Sequence, residues 1–360
     1  MHATLFSPLK STFLKALCNG NFIGWPGLNE KNIAKLLTET PATALGHMDQ
    51  ERQGLQSTKQ YDSSQECFFP QQTAKPTNNV ITTIINFCQA HTAYFDLTGS
   101  FPYISSRGNK YILLLYDYDS NAIAVQPLKT RQGAEITRKW MDLHQIFLQR
   151  GISPETYVMD NEASQNFKKA LLNYNVKYQL TPPNMHWINA AERAIRTFKN
   201  HFLVGLSTLD PSYPIAEWDR LLPQTTITLN LLRNARANPK LSAYAYVYGQ
   251  FDFNRTPMAP PGTKIVIHDK PAQRTSWQYH GTNGFYIAPA MEHYRCMKCH
   301  VPLTRQERVA DTIQFFPHKI DFPALSINDH LLNAPDTITS LLTHQNNPNS
   351  KQLLQLSPTN

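Results

Sequence analysis

Residues 91–128 read HTAYFDLTGSFPYISSRGNKYILLLYDYDSNAIAVQPL. Lys110–Asp117 (KYILLLYD), with its unbroken apolar run Tyr111–Tyr116, follows the turn pair Gly108-Asn109 and reads as a strand buried within a sheet. His91–Thr98 reads as a strand before it, ending in Asp96-Leu-Thr-Gly99, and Asn121–Leu128 as a third after it. Downstream, Gln132–Arg150 carries Ala134, Ile136, Trp140, Met141, Leu143, Ile146, Phe147 and Leu148, a helical spread with a wide apolar face. Gly151 stops it. A short strand follows at Glu155–Met159, ending at Asp160, then a helix from about Glu162 to Tyr174 and a strand at Val176–Leu180. The loop Thr181–Trp187, with Pro182-Pro183, leads to a long helix that starts near Ile188. Three strands able to form a meander, then helices alternating with strands, predict a mixed α/β sheet.

The flanks differ in character. Residues 1–60 read as short helices with a break at Trp25-Pro26-Gly27, one opened by Asn29 and Glu30 and running through Leu37, another over Met48–Gln53. Ser57–Asn79 has linker composition without periodicity. After Leu241 the helical signal ends. Pro257–Gly262 (PMAPPG) is a break, and strands at Lys264–His268, Gly284–Ile287, Tyr294–Val301 and Thr312–Phe316 predict a small β-barrel. The last forty residues read as a disordered tail. The expected organisation is therefore a helical region 1–60, a linker 61–90, an α/β core 91–242, a barrel 243–320 and a tail 321–360.

Composition narrows the function classes. Apolar residues make up 41% of the 360 and charged residues 17%, which excludes global disorder. No apolar run approaches the roughly eighteen residues of a membrane span, and no secretory leader opens the chain. The cysteines, at 18, 67, 88, 296 and 299, are odd in number and scattered, so a disulfide framework is not expected and a reducing compartment is. Net charge is +8, and the excess falls in residues 92–320. A basic excess over folded segments suits a polyanion.

Three acids fall at element ends: Asp96, Asp160 and Glu192. Adjacent parallel strands would set the aspartates side by side, with a packed helix bringing the glutamate alongside. Converging carboxylates repel unless cations neutralise them, and hard oxygen donors suit Mg²⁺ or Mn²⁺. Each acid alone also reads as a cap or turn residue, Asp160-Asn161 as the start of the next helix. On the long helix Ala191, Ala194, Ile195, Phe198 and Phe202 form a core face, while Glu192, Arg196 and Lys199 share another. That stripe is either a metal-binding acid followed by two cations for a nucleic-acid backbone, or a solvated face with one i,i+4 ion pair.

The segments Tyr94–Pro102 (YFDLTGSFP), Val158–Ser164 (VMDNEAS) and Asn189–Asn200 (NAAERAIRTFKN) together resemble the Asp-Asp-Glu integrases of retroviruses and long-terminal-repeat retrotransposons, over about residues 90–240. The 31-residue gap between the second and third acids is close to that family's usual spacing. The resemblance implies a ribonuclease-H-like fold, with Asp96, Asp160 and Glu192 as ligands of two Mg²⁺ or Mn²⁺ ions. It implies DNA 3′-end processing and strand transfer, a homo-oligomer, and a piece of a longer retroelement polyprotein. It places Arg196 and Lys199 on the element's DNA end. The barrel becomes a DNA-binding module, with Lys264, Lys270, Arg274, Arg295 and Lys298 as its basic residues. A nuclear location follows if the host is eukaryotic, and an intracellular one otherwise. The N-terminal region departs from the pattern: His2 and His47 are available for the family's zinc site, but no C-x-x-C precedes the core. The apolar stretch Tyr213–Leu232 supplies either an oligomer contact or an internal cover for the sheet. Two alternatives share these features: a catalytically silent retroelement-derived DNA-binding protein, and a ribonuclease-H-like nuclease.

Other motifs compete. Cys296-Met-Lys-Cys299-His300 matches a haem-attachment pattern, but haem attachment needs an exported apoprotein. A zinc site from Cys296, Cys299 and His293 or His300 fits better, and an unligated barrel strand fits best. Asp117 and Asp119 are expected in a solvent-exposed turn, and Glu162 as a helix cap rather than a ligand.

Overall fold

The computed structural model describes residues 1–38, 40–48, 90–159, 164–181 and 190–317. The 61–90 linker except Ala90, Asp160, Glu162, most of the Thr181–Trp187 loop and the 321–360 tail lie outside them, as does all of the Met48–Gln53 helix except Met48.

The central sheet is built from β1 (Thr92–Leu97), β2 (Tyr111–Asp117), β3 (Ile123–Leu128), β4 (Thr156–Met159) and β5 (Lys177–Leu180), in the order β3-β2-β1-β4-β5. β2 pairs antiparallel with both β1 and β3, while β4 lies parallel to β1 and β5 to β4. A mixed sheet of this order with one reversed strand and helices on both faces is the ribonuclease-H-like arrangement expected. Alternation along β2 explains the unbroken apolar run. Leu113 and Leu115 face a layer formed by α4 (Gly133–Gln149) and α5 (Gln165–Asn173), with Trp140, Phe147 and Phe167. Ile112, Leu114 and Tyr116 face α6 (Ala190–Ser207) and α7 (Leu222–Leu232). Leu113, Leu114 and Leu115 are 0% exposed, each contributing about 2 kcal/mol of burial. Pro127 sits in β3 without penalty because β3 is an edge strand.

The 3-10 turn Ile215–Leu221 and α7 bury Trp218, Leu221, Leu222 and Leu229 against the sheet. Tyr213–Leu232 is thus largely an internal cover.

At the N-terminus, α1 (Lys10–Cys18) docks on α7 and α3 (Pro41–His47) on α6, while α2 (Glu30–Leu36) packs against α1. Phe13, Phe22 and Leu37 share a core with Leu231, Leu232, Phe251 and Phe253. The fit is close at Gly205 of α6, where a Cβ would lie 1.7 Å from the Phe6 ring.

Beyond the core, α8 (Ala243–Tyr248) is a helix where the helical signal was expected to have ended. Ser242 caps it by accepting from Ala245 N–H at 2.9 Å, and Gly249 closes it at φ 82°. The second sheet contains β6 (Lys264–His268), β7 (Gly281–Pro289), β8 (Met297–Val301), β9 (Gln306–Ala310) and β10 (Ile313–Phe316), all antiparallel, in the order β10-β6-β7-β8-β9. Ile265, Ile267, Tyr286, Cys299, Val301 and Ala310 make one small core, with Phe315 against it. The barrel is open, since no pairing joins β9 to β10 among the described residues. Phe285 and Ile287 pack instead into the α/β core, which docks one unit on the other.

Candidate active site

Asp96 lies on β1, the middle strand. Side chains alternate along a strand, so it shares the side of Tyr94, whose ring packs in the α6 layer. It is half-buried, and its Oδ1 accepts the Leu97 N–H at 2.7 Å. The neighbouring strand runs parallel in the register Thr92↔Thr156, Ala93↔Tyr157, Tyr94↔Val158, and is described up to Met159. Asp160 itself lies outside the described residues.

Glu192 stands in the first turn of α6 and is exposed. The helix has the expected core face: Ala191, Ala194, Ile195, Phe198 and Phe202 are all buried. Arg196 and Lys199 are exposed on the Glu192 side. Among the described residues Glu192 makes no hydrogen bond or ion pair, so the i,i+4 pair with Arg196 that the solvated-face reading supposes does not form.

Asp96 and Glu192 are thus oxygen donors on one side of the sheet, a donor type that suits Mg²⁺ or Mn²⁺. No group of three His, Cys, Asp or Glu side chains comes together among the described residues. Arg193, one residue past Glu192, lies close enough to Tyr94 to stabilise its phenolate, although burial dominates and raises that phenol.

Several expected placements change. Asp117 is not in a solvent-exposed turn: it is 1% exposed. Its carboxylate accepts the Ser120 O–H at 2.5 Å and the Ser120 N–H at 2.8 Å, because the chain folds back over it. Burial raises its carboxyl, and the Ser120 bonds offset part of the rise. Asp119 takes a structural part, accepting His91 N–H at 2.8 Å.

Cys299 points into the barrel core, where burial pushes its thiol up to about 12, away from the thiolate that zinc needs. His300, next along β8, faces the opposite way, toward Glu217 at 3.9 Å. His2 is bonded through Nε2 to the Pro8 carbonyl at 2.8 Å.

The basic residues of the second sheet do not form one cluster. Lys270 and Arg274 follow β6 at the Gly281 end of β7, whereas Arg295 and Lys298 lie by its Pro289 end. The eight-residue rise between those ends is roughly 26 Å. Lys264, Lys270, Arg295 and Lys298 are exposed, and Arg274 is half-buried. Sequence reading passed over Trp277 and Tyr279, which stand 101% and 90% exposed on the same β6–β7 connection as Lys270 and Arg274. Their position in a loop without periodicity left no signal.

No helix among the described residues is long and apolar enough to cross a membrane. No protein-family model matches the chain, and no curated protein matches it by sequence. Among solved structures, the HTLV-2 integrase catalytic core domain in complex with magnesium (trimeric form) is 20% identical, with a TM-score of 0.34 over 44% of this chain and 96% of that one. The BIV integrase catalytic core domain is 15% identical, with a TM-score of 0.32 over 44% of this chain and 93% of that one. The simian T-cell lymphotropic virus intasome, solved with PP2A regulatory subunit B56 gamma, is 15% identical with a TM-score of 0.32, covering 66% of this chain and 83% of that one. At such scores the fold assignment rests on strand order and register.

Proposed function

We propose that the protein is a metal-dependent polynucleotidyl transferase of the integrase type, which trims and joins DNA ends. One relation carries the reading. Asp96, on the middle strand, faces the α6 layer, and Glu192, on the first turn of α6, makes no hydrogen bond or ion pair among the described residues. Asp160 follows Met159, the last residue of β4, directly in sequence, and β4 is the strand beside β1.

Asp96, Asp160 and Glu192 would hold two divalent cations, which supply charge neutralisation at the attacking and leaving oxygens of phosphoryl transfer. Asp96 is positioned by a central strand and by the Leu97 N–H, so its carboxylate is set before any ligand arrives. Glu192 is carried on a helix whose opposite face is buried, which fixes its backbone and leaves its carboxylate available. Arg196 and Lys199, on the same side, would neutralise backbone phosphates and hold the DNA end in place. The second sheet adds basic residues and exposed rings, and the active form is a homo-oligomer that joins two ends. The place of action is the nucleus in a eukaryotic host.

Incubating the protein and a labelled duplex with Mg²⁺ or Mn²⁺ tests the reading. Nicking near the 3′ end followed by joining to a second duplex is the expected result. Binding without cutting would mark a silent DNA-binding relative, and cutting without joining a nuclease.

A further inference from the structure

A cavity of about 460 Å³ opens where α6 and the end of α7 meet the N-terminal helices. Arg193, Arg196, Thr197 and Asn200 of α6 line it, with Arg233 just past α7 and His47 at the end of α3. No aspartate or glutamate lines it among the described residues. The α6 residues recur at three- and four-residue spacing, so they stand on one side of the helix. Arg193 lies about 100° around the helix from Glu192, which sets the cavity apart from the metal-facing stripe, although Arg196 borders both.

Arg233 is the informative member. Its Nε donates to the Asn121 carbonyl at 3.0 Å and an Nη donates to the Asn121 side-chain oxygen. The guanidinium also lies 5.7 Å from the centre of the Tyr116 ring. Every one of these partners is neutral. No carboxylate pairs with Arg233 or Arg193 among the described residues, whereas Arg220 and Arg308 are each held by acids. Burial pushes the Arg233 guanidinium below its ordinary value. A desolvated cation whose partners among the described residues are all neutral, with the like charge of Arg236 nearby, is costly unless an anion completes the site.

We propose that this cavity is a phosphate-binding site, taking a phosphoryl or phosphodiester group that bridges Arg233 to Arg193 of α6. Planar guanidinium forks match phosphate oxygens in pairs, and Thr197 and Asn200 add neutral polar groups. The volume falls in the range of small-ligand pockets and accommodates a diphosphate. The site stands on geometry separate from the metal site, and either can fail without the other.

The test is calorimetric titration of inorganic pyrophosphate into the full chain and into Arg193→Gln, Arg233→Gln and Arg233→Lys. Lys169→Gln, on α5 across the sheet, is the charge-matched control. The wild type is expected to bind. Arg193→Gln and Arg233→Gln should each weaken binding by about tenfold or more, Arg233→Lys should weaken it less, and Lys169→Gln should leave it unchanged. Arg193 is exposed, so its variant keeps the test decisive if Arg233→Gln does not fold. Displacement of pyrophosphate by a short duplex identifies the ligand as a nucleic-acid backbone. Retention identifies a free phosphorylated molecule, and both outcomes support the site. No binding by the wild type, or unchanged affinity in Arg193→Gln, overturns it.

Discussion

Arg220 of the α/β core donates to the Glu307 carboxylate on β9 at 2.5 Å, while its Nε pairs with Glu217 in its own turn. The same guanidinium donates to the Arg305 carbonyl at 3.1 Å, and Arg107 reaches both Asp219 at 2.9 Å and Glu307 at 3.6 Å. Glu217 and Asp219 are 5% and 2% exposed, so this is a largely desolvated network between the two sheets. Arg220→Met would leave Glu217 buried without its cation. The expected loss is about 3–5 kcal/mol, read as a lower urea midpoint. Glu307→Gln, at the more exposed end, should cost less.

The N-terminal helices depend on Gly205. Gly205→Ala would drive a methyl into the Phe6 ring, which overpacking estimates put at about 1–3 kcal/mol of destabilisation. With Phe6→Ala as the background, the same change has room, and the helical preference of alanine should make it neutral or stabilising by up to about 1 kcal/mol. Thermal melts of the four proteins in this cycle check the reversal of sign.

Acid should weaken the same contact. His201 is fully buried on α6, its Nε2 lies 2.9 Å from Thr228 Oγ1, and burial pushes its pKa down to about 3. The Thr228 hydroxyl donates to the Gln224 carbonyl, so the ring donates to Thr228 and is neutral. Below the unfolded value of about 6.5 the unfolded chain takes up a proton that the folded chain refuses. This contribution is complete above that pH and is lost as pH falls toward 3, at about 1.4 kcal/mol per pH unit. Urea unfolding at pH 7.5 and 5.0 should show it, and His201→Gln should reduce the pH dependence.

DNA affinity should report on the α6 stripe. Arg196→Ala with Lys199→Ala is expected to weaken binding of a duplex end and to flatten the log–log salt slope by about one unit per lost contact. Titrations at several salt concentrations measure both. An unchanged slope with the fold intact by circular dichroism would remove the stripe from the DNA interface and leave the acids unaffected.

Much of this architecture was legible because burial leaves a pattern in sequence. Tyr111–Tyr116 within KYILLLYD is apolar throughout because both faces of β2 are covered, and the α6 core face recurs at helical spacing with no exception. What escaped reading had a different physical origin. β9 (Gln306–Ala310) is an edge strand with only Ala310 buried and polar residues at its first three positions, so neither alternation nor hydrophobicity marks it. α8 (AYAYVY) has strand-like alternation and becomes a helix through the Ser242 cap and tertiary packing on α7. Asp117 looked like a turn acid because its burial comes from Ser120 folding back, a contact with no periodic signature. For the site, the sequence marked Asp96 and Glu192 individually, but only strand parity and helix packing put them on one side of the sheet. Arg233 escaped because it lies forty residues from Arg193.

The most direct test of the central claim is strand transfer on a duplex carrying the element's own terminal sequence, assayed with Mg²⁺ or Mn²⁺. The wild type should join ends only when metal is present. Asp96→Asn, Asp160→Asn and Glu192→Gln should each abolish joining while still binding DNA, because phosphate contacts come from other residues. Joining at the wild-type rate in any of the three, or in the wild type with all divalent metal chelated, would contradict the account.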